Sequence, residues 1–393
     1  MHDPAERSRR HIAVLARADA SDPRAWSGTP FFSARALARH AGAVSHLGPM
    51  PAWPELAEKV RAKVRARLGG GRGLPRHTAL LAHVYGRLAD QRLAGLKPPA
   101  DLVFAPAGSV MLARLRSLSP VAYSSDTTVR LMFDYYPRFT GLSEAVRRSA
   151  DAIERDAIAR ADLLLYPTRW AADSAIADYG ADPTKVHILP YGANLEEAPE
   201  APRLDVPEGD TCRLLLVGVD WAVKGAAIAL GALEALRARG VAAELTIVGC
   251  TPPEPVERPG LTIIPFLDKR EPESRARLEA LYRGAHFLIL PTRCECYGLV
   301  FCEAAAYGVP AIATRTGGVP ELVLEDETGH TLPLEAGGGA YAERIAALWA
   351  DRARYRAMRR ASREGFETRL NWDVWGRSAA EAIETLLARR AAA

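Results

Sequence analysis

Two glutamates eight positions apart, Glu295 and Glu303, stand in the stretch PTRCECYGLVFCEAAAYGVPAIATRTGGVPE, residues 291–321. An ionised carboxylate accepts hydrogen bonds on both oxygens, so either residue suits the vicinal hydroxyls of a ribose or a hexose. The apolar run AHFLIL ahead of them reads as a strand, and Leu299, Val300 and Glu303 then fall in the first turns of a helix that follows Gly298. A helix start exposes unpaired N–H groups and partial positive charge, which makes it a seat for a diphosphate. Gly298 lets the backbone approach those phosphates closely. Glu303 is flanked by FC and AAAYG, where an unpartnered carboxylate is costly, so it reads as a ligand-binding group and not as a solvated one.

Lys224, one of six lysines in an arginine-rich chain, lies in VGVDWAVKG, after a strand and at a helix start. A cation there offsets the charge that builds on a leaving diphosphate. Arg293 is a second cation beside the Glu295 loop, with solvation as its plainer role, and Trp221 is equally readable as packing. In the first half, Gly28 in SGTPFF offers a close backbone approach, and Asp126 in SSDTT ends an apolar run. Asp126 reads either as a cleft residue that orients a hydroxyl or as a loop cap. Arg130, Tyr135 and Tyr136 lie near it.

These residues need elements to hold them. Apolar runs at His11 to Asp19, Asp101 to Pro106, Pro120 to Asp126, Asp162 to Pro167 and Lys185 to Gly192 read as strands. Helical spacing in FFSARALARHAG and over 143–160 lies between them, and the alternation predicts a parallel sheet covered by helices. The Pro- and acid-rich segment 196–210 reads as a linker. The pattern then restarts with CRLLLVGVD, a helix over 226–239, ELTIVGC, LTIIPFL, a helix over 272–283, AHFLILP, a helix from Leu299 and PAIATRTGG. A last amphipathic helix closes the chain. The expected fold class is α/β: two facing Rossmann-like domains, 1–195 and 211–374, with a ligand cleft between them at the C-terminal ends of both sheets. A length of 393 residues suits two such domains.

A net charge of +4 and the lack of any basic run interleaved with aromatics argue against nucleic acid as a partner. No window approaches a membrane span, and no signal-peptide pattern opens the chain. Five cysteines without metal-ligand spacing, Cys212, Cys250, Cys294, Cys296 and Cys302, read as buried thiols in a reducing, cytoplasmic setting. In PELAEKVRAKVRARL, Leu56, Val60, Val64 and Leu68 form one stripe flanked by Lys59, Arg61, Lys63, Arg65 and Arg67. A basic amphipathic helix can make weak contact with an anionic membrane surface, at the inner membrane face. The favoured reading is an ordinary surface helix packed by its apolar stripe.

The segment ECYGLVFCEAAAYGVP closely resembles the E-x7-E signature of the family 4 retaining glycosyltransferases, which have the GT-B fold. The resemblance extends through VGVDWAVKG, LTIVGC, ILPYGAN and the NWD before the final helix. It implies that Glu303 binds the donor ribose and Glu295 the donor sugar. The backbone around Gly298, Leu299 and Val300 would hold the diphosphate, with Lys224 neutralising it and Gly28 near the donor. It also implies that the final helix, about 375–393, returns to the N-terminal domain. The activity implied is hexosyl transfer with retention from a nucleotide sugar such as UDP- or GDP-sugar. The acceptor would be a glycan, lipid or small molecule, with no cofactor beyond the substrates. This chain has Val219, Asp220 and Trp221 where many relatives carry an arginine. Asp126 stands where many place a histidine, and the paired glycine at Gly28 is missing. No DxD motif in a convincing context points to a metal, so transfer is expected to be metal-independent. A sugar-nucleotide epimerase and an inactive donor-binding protein are the alternatives, and a dehydrogenase lacks its G-x-G-x-x-G.

Overall fold

The structure, a computed structural model, describes residues 10–69, 71–200 and 210–392. Most of the expected linker, 201–209, lies outside the described residues. The chain forms two compact units: unit 1 runs to Pro190 and resumes at Trp372, and unit 2 is Tyr191–Asn371. Residues of the ILPYGAN segment belong to unit 2 from Tyr191 on. The Tyr191 carbonyl accepts from the Tyr297 hydroxyl at 2.7 Å, and the Ala193 N–H donates to the Leu370 carbonyl at 3.0 Å.

In unit 1 the chain order is β1 (His11–Val14), α1 (Thr29–His40), β2 (Ala43–His46), α2 (Trp53–Arg67), α3 (Ala79–Ala94), β3 (Leu102–Pro106), β4 (Val121–Ser124), α4 (Glu144–Arg160), β5 (Leu163–Tyr166), α5 (Arg169–Tyr179) and β6 (Val186–Ile188). The strands pair in parallel in the order β2-β1-β3-β4-β5-β6. The apolar runs HIAV, LVFAP, VAYS and LLLY are buried along their whole length, as strands covered on both faces must be. β2, with sequence AVSH, is a half-exposed edge that carries no apolar run, and the sequence pattern does not mark it. Thr78 and Thr168 start α3 and α5 by accepting from the N–H groups of Leu81 and Ala171.

One expectation is overturned in α2. Its apolar stripe faces solvent, with Leu56 at 62%, Val60 at 55%, Val64 at 50% and the following Leu68 at 81% exposure. The buried face carries Glu55 and Glu58. Glu55 meets Arg17 at 2.9 Å, Arg76 at 2.8 Å and Lys59 at 2.9 Å. Burial alone would raise the Glu55 carboxyl, but hydrogen bonds from Arg76 and Lys59 and the charge of Arg17 outweigh it and hold it at about 2. Arg17 and Arg76, which come from outside α2, thus fix the acidic face inward, and the stripe has to turn out.

The last helix, α11 (Trp372–Ala392), packs in unit 1. Trp372 stacks on Phe32 at 6.3 Å, and Trp375, 1% exposed, meets Phe104 edge-on at 5.9 Å. His40 joins Asp373 at 2.6 Å, and Arg10 joins Glu384 at 3.2 Å.

Unit 2 contains β7 (Cys212–Val217), α6 (Ala226–Ala238), β8 (Ala243–Val248), β9 (Leu261–Ile264), α7 (Pro272–Gly284), β10 (Phe287–Leu290), α8 (Leu299–Ala306), β11 (Ala311–Thr314), β12 (Gly329–Leu332), α9 (Gly338–Ala350) and α10 (Arg352–Thr368). Its sheet is parallel in the order β12-β11-β10-β7-β8-β9. The direction of winding reverses between β7 and β10, so the loops after these two strands diverge and leave a crevice at their carboxyl ends. All five cysteines are buried free thiols. Among the described residues no helix is long and apolar enough to cross a membrane.

Candidate functional site

The loops after β7 and β10 are laced together at that reversal. The Val223 carbonyl accepts from the Arg293 N–H at 2.7 Å and from the Thr292 hydroxyl at 3.1 Å. Gly225, with φ +66, starts α6, and its α-carbon lies so close to Pro291 that an added Cβ would stand 2.0 Å from the Pro291 carbonyl oxygen. Only glycine fits there. This contact brings Lys224, the residue before it, against Glu295, and the Lys224 ammonium donates to Glu295 Oε2. Both side chains are largely buried, at 18% and 10% exposure. Arg293 is half-buried beside them, and Trp221 is half-buried in the β7 loop.

Gly298 caps α8 with φ +90, and a Cβ there would press on the Phe301 ring at 2.7 Å and Glu295 Cγ at 3.2 Å. The left-handed turn therefore holds Glu295 against the helix start. Leu299 and Val300 open the helix half-buried, and helix geometry leaves its first N–H groups without intrahelical acceptors. The site thus combines a positive helix end, a lysine and a carboxylate, which suits a ligand bearing both phosphates and hydroxyls.

Glu303 lies one turn deeper and is 4% exposed. Its Oε2 accepts from the Tyr282 hydroxyl of α7 at 2.9 Å, and its Oε1 accepts from the Lys269 ammonium at 2.5 Å. Burial, reinforced by the neighbouring Glu303 carboxylate, pushes the Tyr282 hydroxyl well above its ordinary range, so it stays protonated and donates. Tyr282 stacks on Tyr307 at 5.4 Å with the rings nearly parallel. Burial also raises the thiols around the loop, Cys294 to about 11 and Cys302 to about 12, which leaves them unreactive.

Unit 2 therefore gathers Lys224, Glu295, Gly298, Leu299, Val300 and Glu303 around one helix start. Gly28 and Asp126 belong to unit 1. Gly28, with φ 88, caps α1 after two residues that also have positive φ, Trp26 and Ser27. Asp126 is half-buried two residues beyond β4. Both lie on loops that follow strands of the unit 1 sheet. Two residues of the site are not singled out by the sequence pattern, Lys269 and Tyr282. Lys269 stands in the mixed-charge run LDKRE, which looks like a solvated turn, and Tyr282 looks like part of the apolar face of α7. The scarcity of lysine is the one sequence feature that sets Lys269 apart.

Residues 33–197 match the family model described as Glycosyltransferase Family 4, and residues 211–351 match the one described as Glycosyl transferases group 1. The chain is 30% identical over 243 residues to the D-inositol 3-phosphate glycosyltransferase of Xylanimonas cellulosilytica, a match spanning 56% of each chain. It is also 30% identical over 260 residues to the Salinispora tropica protein of that name, spanning 58% of this chain and 53% of the relative. The chain thus spans about half the length of the curated relatives it matches. Among solved structures, sucrose-phosphate synthase from Thermosynechococcus elongatus superposes with a TM-score of 0.66 at 17% identity, over 97% of this chain and all of the other. Anabaena HepE, solved in complex with UDP, superposes with a TM-score of 0.63 at 14% identity, over 96% and 100% of the two chains.

Proposed function

The chain belongs to glycosyltransferase family 4 and has the GT-B fold, and from that premise we propose that it transfers a sugar from a nucleoside-diphosphate sugar to an acceptor hydroxyl. What carries this reading is the assembly in unit 2 of Lys224, Glu295 and Glu303 around the N-terminus of α8. An epimerase needs acid–base groups arranged around the sugar, whereas this assembly is a seat for a diphosphate and its two sugars. The relatives named as transferases favour the same side.

In the proposed reaction, Glu303 takes the ribose and the backbone at Gly298, Leu299 and Val300 takes the diphosphate. Glu295 accepts from hydroxyls of the donor sugar. The bond between the anomeric carbon and the phosphate oxygen breaks, and the acceptor oxygen bonds that carbon on the same face, so configuration is retained. The acceptor proton passes to the departing phosphate oxygen. Lys224 and the end of α8 stabilise the charge that grows there, with no call for a metal ion. Asp126 and Gly28 are assigned to the acceptor side and the donor side of unit 1, Asp126 as an orienting group. UDP, the ligand of the HepE complex, is the first nucleotide to test.

The test is a thermal-shift panel with UDP, GDP, ADP and TDP on the wild type and on Glu303→Ala. A ligand bound by the folded state alone raises stability in proportion to ln(1 + [L]/Kd). One nucleotide should stabilise the wild type and lose its effect on the variant. Stabilisation that survives in Glu303→Ala would remove the ribose assignment, and a wild type that responds to no nucleotide would overturn the donor site altogether. Sugar transfer should also persist in excess chelator; activity that returns only with a divalent ion refutes the metal-free route.

A further inference from the structure

Glu303 is not waiting empty for a ribose. Tyr282 holds its inner oxygen from within the unit, and the Lys269 ammonium holds the other. The two partners differ in kind. The Tyr282 side chain is buried, stacked on Tyr307 and fixed on α7, whereas the Lys269 side chain is 44% exposed and stands on the loop between β9 and α7. Glu303 is 4% exposed and both of its carboxylate oxygens are already engaged, so a ribose hydroxyl has to compete with one of these two partners. Lys269 is the partner that can leave, because its ammonium regains water as it swings out.

We infer that Lys269 is an intramolecular competitor for the ribose seat, displaced when a nucleoside diphosphate binds and returning to Glu303 to help expel the product. This rests on the donor-site reading. A thermodynamic cycle gives the sign. In the bound state the ammonium is in solvent, so losing it changes little; in the empty state it pairs with Glu303, so losing it removes a stabilising contact. A variant without the ammonium therefore binds the nucleotide more tightly, releases it more slowly and is less stable when empty. A residue that only supports the fold, or that touches the donor, predicts weaker binding.

The experiment is titration calorimetry of the full chain with UDP and with inorganic pyrophosphate, on wild type, Lys269→Met and Lys269→Arg. Pyrophosphate has no ribose, so the ratio of its Kd to that of UDP cancels any general effect of removing a positive charge. A partly exposed ion pair sets the size: that ratio should rise about two- to fivefold in Lys269→Met and stay near wild type in Lys269→Arg. Thermal midpoints of Lys269→Met should fall below wild type without ligand and converge on it at saturating UDP. A ratio that is unchanged or lower in Lys269→Met, with wild type binding UDP, refutes the competitor and leaves the donor site standing. If the wild type binds none of UDP, GDP, ADP or TDP, the donor-site reading fails and takes this inference with it.

Discussion

Replacing Gly225 by alanine tests what holds Lys224 in the site. The glycine has φ +66, and a Cβ would stand 2.0 Å from the Pro291 carbonyl oxygen and 2.7 Å from its carbon. Contacts below 3.0 Å are essentially never seen for real Cβ atoms, so the two backbones must part by about 1 Å. The left-handed conformation costs alanine about 1 kcal/mol. Forcing backbones apart in a packed interior adds about 1–3 kcal/mol, for a total of about 2–4 kcal/mol. Gly240 supplies the control, since it also has positive φ, +79, but nothing lies within 4 Å of its Cβ position. Urea unfolding of Gly225→Ala and Gly240→Ala separates the two terms: the control should show the conformational cost alone. A shift of this size also parts the β7 and β10 loops, so Gly225→Ala should lose nucleotide-induced stabilisation while Gly240→Ala keeps it. Equal losses of stability in the two variants, with nucleotide response intact in both, would show that the close approach at Pro291 does not position Lys224.

Two further expectations concern pH. The ion pairs hold Glu55 at about 2 in the folded chain against an ordinary 4.5, so they stabilise above about pH 4.5 and are lost as the pH falls toward 2; because the three cationic partners are nearly half exposed and screened by solvent, this is on the order of 1 kcal/mol. Glu55→Gln should therefore be less stable than wild type near neutrality, with the gap closing on acidification; a gap that does not change between about pH 7 and pH 3 refutes the ionic account. Glu154, 2% exposed, accepts from Tyr123 at 2.9 Å, and burial raises its carboxyl to about 7 despite that bond. A raised carboxyl contributes fully below about pH 4.5 and loses its contribution as pH rises through 7, so Glu154→Gln should gain on wild type by up to about 3 kcal/mol between about pH 5 and pH 8.5. Unfolding curves that keep a constant difference over this range exclude it.

The parallel strands could be read from the sequence because burial on both faces demands short, continuous apolar runs, and HIAV, LLLY and FLIL are such runs. Glu295 and Glu303 were legible for a local reason: a strand, a glycine and a helix start follow one another within a few residues of both. The partners of Glu303 were not, because Lys269 and Tyr282 stand 34 and 21 residues away and reach it only through the packing of α7 against the sheet. The direction of α2 was hidden in the same way. Its stripe looks like an inward face until Arg17, 38 residues before Glu55, and Arg76, 21 residues after it, claim the carboxylate side. Local spacing fixes the period of a helix, and distant charges chose which side of α2 the unit keeps.

α11 bears on how the molecule is made. Unit 1 owns residues at both ends of the chain, and the whole of unit 2 lies between them. During synthesis the first sheet can therefore form early, but Phe32 and Phe104 stay without their tryptophan partners until Trp372 and Trp375 leave the ribosome. Gly376, whose missing side chain lets α11 approach Ala36 and His40 of α1, arrives equally late. A nascent chain that has finished unit 2 still carries an uncovered apolar face on unit 1, and such a face is open to aggregation or chaperone capture. Truncation just before Trp372 would freeze the molecule at that stage, so α11 acts as the closing step in the assembly of the first domain.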